Sequence, residues 1–157
     1  MRRRMEREEL KLSDAVSDLL DECRMVLPGI QALFGFQMIA VFNNGFFERL
    51  APREQELHLS AIVLVVVAIA LLMTPAALHR QAEPREATDR FLSSASRLLL
   101  SAMVALAGGI SLDVFLVLNM VLHDSALSGA VAAVLFALFL LLWFAYPRAY
   151  RASSRRQ

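Results

Sequence analysis

Four apolar runs constrain this chain more than any other feature. Residues 26–44, 58–78, 98–122 and 126–146 are almost free of charge. Each is long enough, at about 1.5 Å per residue, to cross a hydrocarbon core of about 30 Å. Backbone amides have no water to bond in lipid, so such runs are stable only as helices that satisfy their own N–H and C=O groups. The reading is therefore an all-α integral membrane bundle of four transmembrane helices with helical extensions outside the bilayer. A content of 57% hydrophobic residues and a mean hydropathy of +0.52 over 157 residues exclude a soluble domain of ordinary composition.

The positive residues orient the bundle. With the N-terminus in the cytoplasm, the inner segments hold Arg2, Arg3, Arg4, Arg7, Lys11 and Arg24, then Arg80, Arg85, Arg90 and Arg97, then Arg148, Arg151, Arg155 and Arg156. The outer loops hold only Arg49 and Arg53. This asymmetry places both termini inside, with Trp143, Tyr146 and Tyr150 in the inner aromatic belt and Pro147 as the stop of the fourth helix. Residues 1–12 read as a basic, disordered N-terminus, 13–147 as the transmembrane domain and 148–157 as a basic tail on anionic headgroups. Glu6, Glu8, Glu9 and Lys11 interrupt the start, so it is not a cleavable signal. The lipid bilayer is the expected partner, and so short a tail gives no basis for nucleic-acid binding. Cys23 is the single cysteine and forms no intrachain disulfide.

The stretch 22–44, ECRMVLPGIQALFGFQMIAVFNN, joins an amphipathic helix to the first span. Ser13 followed by Asp14 reads as its cap. Leu12, Val16, Leu19, Cys23, Val26 and Ile30 alternate at spacings of four and three and mark its apolar seam. Asp14, Asp18, Asp21 and Glu22 lie largely off the seam, and Arg24 is placed to pair with Asp21. These charges read as a solvated face or, for Glu22 and Arg24, as a pair at the inner mouth of the bundle. Pro28 followed by Gly29 predicts a kink. Gln31 shares a helix face with Gly35, whereas Gln37 points roughly 120° away. Two amides on different faces require protein on at least two sides, in the bundle or at a subunit interface. They act either as interhelical glue or as the lining of a polar path.

Beyond the first span, Asn43, Asn44 and Gly45 break the helix, and Phe46 and Phe47 suit the interface. Pro52 with Glu54 and Glu56 marks one helix start, and Pro84 another. In the third span Ser101, Ala105, Gly109 and Asp113 fall on one ridge, and Gly129, Ala133 and Ala137 form a ridge on the fourth. These small-residue faces predict a tight hairpin of the third and fourth helices. Asp113 lies about 24 Å along its helix from Arg97, with Asn119, His123 and Asp124 beyond it. An ionisable group in a span is a functional candidate by default; the competing reading is a hydrogen-bonded packing residue near the outer headgroups. Gln31, Gln37, Asp113 and Asn119 are the candidate ion or proton path. Asp124 or Ser125 suits the cap of the fourth helix. His58 and His123 both fall near outer helix ends and are the one pair that could ligate haem or a metal; the reading adopted is no metal and no cofactor. Neither a Ser-His-Asp pattern nor a glycine-rich phosphate loop is present, so the chain does not read as an enzyme.

The segments ECRMVLPGIQALFGFQ and MIAVFN at 22–43, with LLMTPAALHR at 71–80, resemble a family of small bacterial four-span membrane proteins of unknown function, some of which carry a sodium:proton antiporter label. The resemblance implies a bacterial inner-membrane location and four helices, and it supplies no catalytic or binding residue. Two classes of function remain. One is a homo-oligomeric proton or cation transport or channel subunit, with Asp113 as the titrating group. The other is a membrane interaction or organising protein whose cytoplasmic helices, 13–27 and 84–97, dock a protein partner or each other.

Overall fold

The computed structural model describes residues 2–81 and 88–154. They form α1 (Arg2–Phe42), α2 (Gly45–Arg49), α3 (Pro52–Gln81), α4 (Asp89–Leu122), α5 (Ser125–Leu140), a π-helical turn (Leu141–Ala145) and α6 (Tyr146–Ser154). No strand occurs among the described residues. The segments Leu10–Phe42, Pro52–Gln81, Asp89–Leu122 and Ser125–Ser153 are long and apolar enough to cross a membrane. The protein is an all-α, multi-pass membrane bundle.

Heptad spacing organises the packing. On α3 the buried residues are His58, Ala61, Val65, Ala68, Leu72 and Pro75, separated alternately by three and four positions. On α4, Ala95, Ala102, Gly109 and Leu116 are buried at intervals of seven. On α1, Val16, Cys23, Ile30 and Gln37 are buried with the same interval, and Leu19 joins them. Such repeats keep one seam turned toward a neighbour along the full length of antiparallel helices. The most extensive pairing is α3 with α4; α1 packs mainly on α3, and α5 on α4. Alanine and glycine on the α3–α4 seam bring the backbones close. A Cβ on Gly109 would stand 3.0 Å from Val65 Cγ2 and 3.2 Å from the Ala61 carbonyl oxygen.

At 41 residues, α1 is about 60 Å long, twice the hydrocarbon thickness. Its first half is not a free arm, because Val16, Leu19 and Cys23 share one apolar core with Leu72, Phe91 and Ala95. The predicted seam holds at Val16, Leu19, Cys23 and Ile30, while Val26 is 41% exposed. Two expectations for this helix are corrected. The helix starts at Arg2, not after a disordered segment 1–12, which fits the high helix propensity of its Arg, Glu, Met and Leu residues. Ser13 consequently sits inside the helix and caps nothing. The helix also continues through Pro28 without interruption.

The small-residue ridges are also redrawn. Gly109 meets Ala61, Leu64 and Val65 of α3, not the fourth span. Ala105 packs against the core, but Ser101 is exposed. On α5 the buried residues are Ser128 and Ala132, whereas Ala133 and Ala137 are exposed and Gly129 only approaches Phe115 at 3.9 Å. A ridge of i+4 steps drifts about 40° per step and leaves the interface, whereas alternating steps of three and four stay on it. A Cβ on Gly35 would meet nothing within 4 Å, so Gly35 serves no packing contact within the chain.

Helix ends follow local chemistry. The Asp124 carboxylate accepts from the Ala126 and Leu127 amides at 3.0 Å, capping α5 as expected. His123 takes the left-handed C-cap of α4 with φ 55°. Thr88 caps the start of α4, its hydroxyl accepting from the Phe91 amide at 3.1 Å; the start expected at Pro84 lies outside the described residues. Pro147 does not stop the last helix. The preceding turn widens to π geometry, with the Tyr146 amide donating to the Leu141 carbonyl. The extra residue shifts the hydrogen-bond register just where proline lacks an N–H and its ring would strike the preceding turn.

Candidate functional site: a buried histidine–aspartate pair

Three helices meet where α1 and α4 near their ends and α3 begins. Glu54, in the first turn of α3, reaches back to accept from the Ala51 amide at 2.8 Å, half of a capping box. Its other oxygen accepts from Asn119 Nδ2. This contact pins the start of α3 to the end of α4. One turn further along α3, His58 is 8% exposed and faces Asp113 of α4, with Nδ1 3.2 Å from Oδ1. Asp113 Oδ2 accepts from Gln37 Nε2 of α1 at 2.7 Å. His58 Nε2 lies 3.1 Å from the Gln37 carbonyl oxygen. Phe46 of α2 covers the imidazole, ring centroids 5.4 Å apart.

The protonation state follows from these partners. A carbonyl oxygen only accepts, so His58 Nε2 carries a proton. Nδ1 and Oδ1 are both electron-rich, and their approach at 3.2 Å is stable only with one further proton between them. Whether that proton sits on nitrogen or on oxygen, the pair is neutral as a unit. The acceptors are not saturated. Gln37 Oε1 and Asp113 Oδ1 are buried without a well-aligned hydrogen-bond donor, as is the hydroxyl of Ser111, one turn-half below.

A cleft of about 750 Å³ reaches this pair. It lies between α1 and α4 and is lined by Gln37, His58 and Asp113 at its inner end, with Asn43, Asn44, Glu48 and Arg49 toward the α2 end. Phe36, Val117 and Met120 line it too and are 71%, 58% and 43% exposed. These exposed apolar side chains belong to membrane-spanning helices, so this side of the cleft faces lipid. Toward the other end of the bundle, Ala61, Val65 and Ala107 are fully buried and Gly109 closes on Val65. The cleft is therefore open on one side of the pair and sealed by close packing on the other.

Of the four residues expected on a polar path, Gln37 and Asp113 are in direct contact, and Asn119 lies on the same helix as Asp113 but is engaged by Glu54 of α3. Gln31 is not in the site; it is exposed on the outer surface of α1. Glu22 and Arg24 are exposed as well, and Arg24 pairs with Asp21 at 3.3 Å as its spacing predicts. The two side chains of that pair are 60% exposed or more, so it contributes little to stability. His58 and His123 do not act as a pair, since His123 is exposed at its C-cap while His58 is committed to Asp113 and Gln37. No group of three or more His, Cys, Asp or Glu suited to a metal is found among the described residues. Phe46 is buried and Phe47 is 68% exposed.

The partners of Asp113 and Asn119, namely His58 and Glu54, were not legible from residue type alone. The heptad repeat carries the missing signal. Gln37 is the fourth member of the series Val16, Cys23, Ile30, Gln37, and His58 opens the series His58, Val65, Leu72. Gln31 is one position past the first series and turns out of the core. No curated protein and no solved structure matches the chain. Residues 5–147 match the family of unknown function DUF6328, and over nearly its whole length the chain belongs to that family.

Proposed function

We propose that this protein is a proton-handling subunit of a bacterial inner membrane, loading and releasing one proton at the His58–Asp113 pair. The observation that carries this reading is the pair itself: an imidazole and a carboxylate of adjacent spans 3.2 Å apart at the inner end of a cleft. Gln37 holds the carboxylate in place from a third helix. The sealed layer at Val65 and Gly109 supports a gated passage, as a transport or channel subunit requires, over an open pore. The arginine distribution supports a cytoplasmic location for both termini and, with it, a cleft on the outer side. Exposed Gln31 supports a homo-oligomer, because an amide on a lipid-facing surface lacks partners that a second copy supplies.

The test is proton and cation flux in proteoliposomes, comparing wild type with Asp113→Asn at matched incorporation. Flux in the wild type that falls at least tenfold in Asp113→Asn is the expected result. Absence of flux above empty liposomes, from folded and assembled protein, overturns it. The second reading, an interaction protein, is favoured by one observation: Asp14, Asp18, Asp21 and Glu22 are all exposed on the side of α1 away from its core. Under that reading, neutralising the three aspartates abolishes capture of a partner protein and leaves flux unchanged.

A further inference from the structure

We infer that the cleft between α1 and α4 binds an amphiphilic organic monocation, an ammonium with an apolar or aromatic tail, in exchange for the proton of the His58–Asp113 pair. The inference rests on the proton-handling reading and adds its substrate class.

The polar end of the cleft is rich in acceptors. Gln37 is 3% exposed, and its Oε1 has no donor. Asp113 Oδ1 has only the off-axis approach of His58 Nδ1. A ligand that completes this site brings N–H donors of its own. Charge selects among donors. With its proton, the pair is neutral; without it, His58 keeps the Nε2 proton, Asp113 is a carboxylate and the pair carries one negative charge. An ammonium group restores neutrality where a neutral alcohol does not. The proton displaced goes to water in the cleft, and no covalent bond changes.

The other charged groups lining the cleft are Glu48 and Arg49 of α2, adjacent and of opposite sign. They leave the field at the inner end to Asp113 and His58. The α1 lining adds only uncharged polar and apolar groups. Phe36, Phe46, Leu116, Val117 and Met120 supply aromatic and apolar surface for a tail, and aromatic faces also attract a desolvated cation. Because Phe36, Val117 and Met120 are exposed on spanning helices, an amphiphile reaches the site from the lipid with its head already at the right depth. Phe36 lies six residues before the end of α1, about 9 Å below it.

The test uses the full chain in lipid nanodiscs, phenethylammonium as probe and 2-phenylethanol as its neutral isostere. Binding is measured by calorimetry and proton release by a pH-indicating dye in weakly buffered solution. The expected result is saturable ammonium binding that releases close to one proton per cation and strengthens by up to about tenfold for each unit rise in pH. The alcohol should bind at least tenfold more weakly and release no proton. Asp113→Asn should abolish proton release. The wild-type comparison of the two probes stands even if that variant misfolds. Equal binding of the alcohol, ammonium binding without proton release, or no ammonium binding each overturns the inference. The last result, accompanied by Asp113-dependent proton flux, removes the organic cation and leaves the proton site standing. Proton release on ammonium binding without such flux does the reverse for transport.

Discussion

Gln31 and Gln37 have the same side chain in the same helix and opposite fates, so they make a controlled comparison. Gln37→Leu keeps the volume but removes the donor to Asp113 Oδ2. Leaving a buried acceptor without its partner costs about 1–3 kcal/mol. A clear fall in the thermal midpoint of the detergent-solubilised protein is expected, with weaker pH dependence of flux. Gln31→Leu removes nothing from the folded chain, since Gln31 is exposed. Its midpoint should be unchanged, while cross-linking in membranes should show loss of the oligomer. An unchanged oligomer would remove the support that Gln31 gives to self-association. Residue type alone said that both amides were unusual in a span. It did not separate them, because burial depends on the phase of the helix, and that phase is set by the seam Val16, Cys23, Ile30 far from either glutamine.

Pairs of elements were legible where a repeat is strict and misread where small residues were taken as the signal. The caps at Asp124 and at Pro52 with Glu54 followed from local chemistry alone. The neighbour of Gly109 did not: a short loop joins α4 to α5, yet the glycine faces α3. Loop length fixes which helices are adjacent in the chain, and side-chain volume fixes which approach most closely. Gly109→Val would press a branched side chain onto Val65 and the Ala61 carbonyl. A loss of about 1–3 kcal/mol is expected from overpacking, with flux falling as the α3–α4 seam and the His58–Asp113 pair are pushed apart. Gly35→Ala is the matched control. Nothing stands within 4 Å of the added methyl, and removing a mid-helix glycine should leave the thermal midpoint equal or higher. A Gly109→Val protein as stable as wild type would contradict the close approach.

In the proposed topology, four crossings put residues 2 and 154 on one side of the membrane and the loop at Asn44 on the other. The proposed orientation then predicts a labelling pattern. In a Cys23→Ser background, Asn44→Cys should react with a membrane-impermeant maleimide in intact cells, and Arg151→Cys only after permeabilisation. The inverse pattern would turn the cleft toward the cytoplasm. The number of spans was legible from composition and run length, since lipid admits few alternatives for such segments. Their mutual arrangement was not, because all four are apolar and several faces of each are chemically equivalent.

The layer at Ala61, Val65 and Gly109 also determines where an electric field acts. On the proton-handling reading, a cleft filled with water would carry the potential of its own compartment inward to His58 and Asp113. The transmembrane voltage then falls mostly across the dense layer beyond them. A proton arriving at the pair from the cleft does little electrical work, whereas one leaving through the layer crosses nearly the whole potential, about 2.3 kcal/mol for each 100 mV. On the proposed function, occupancy of the pair is accordingly a matter of pH on the cleft side, and passage beyond it a matter of voltage.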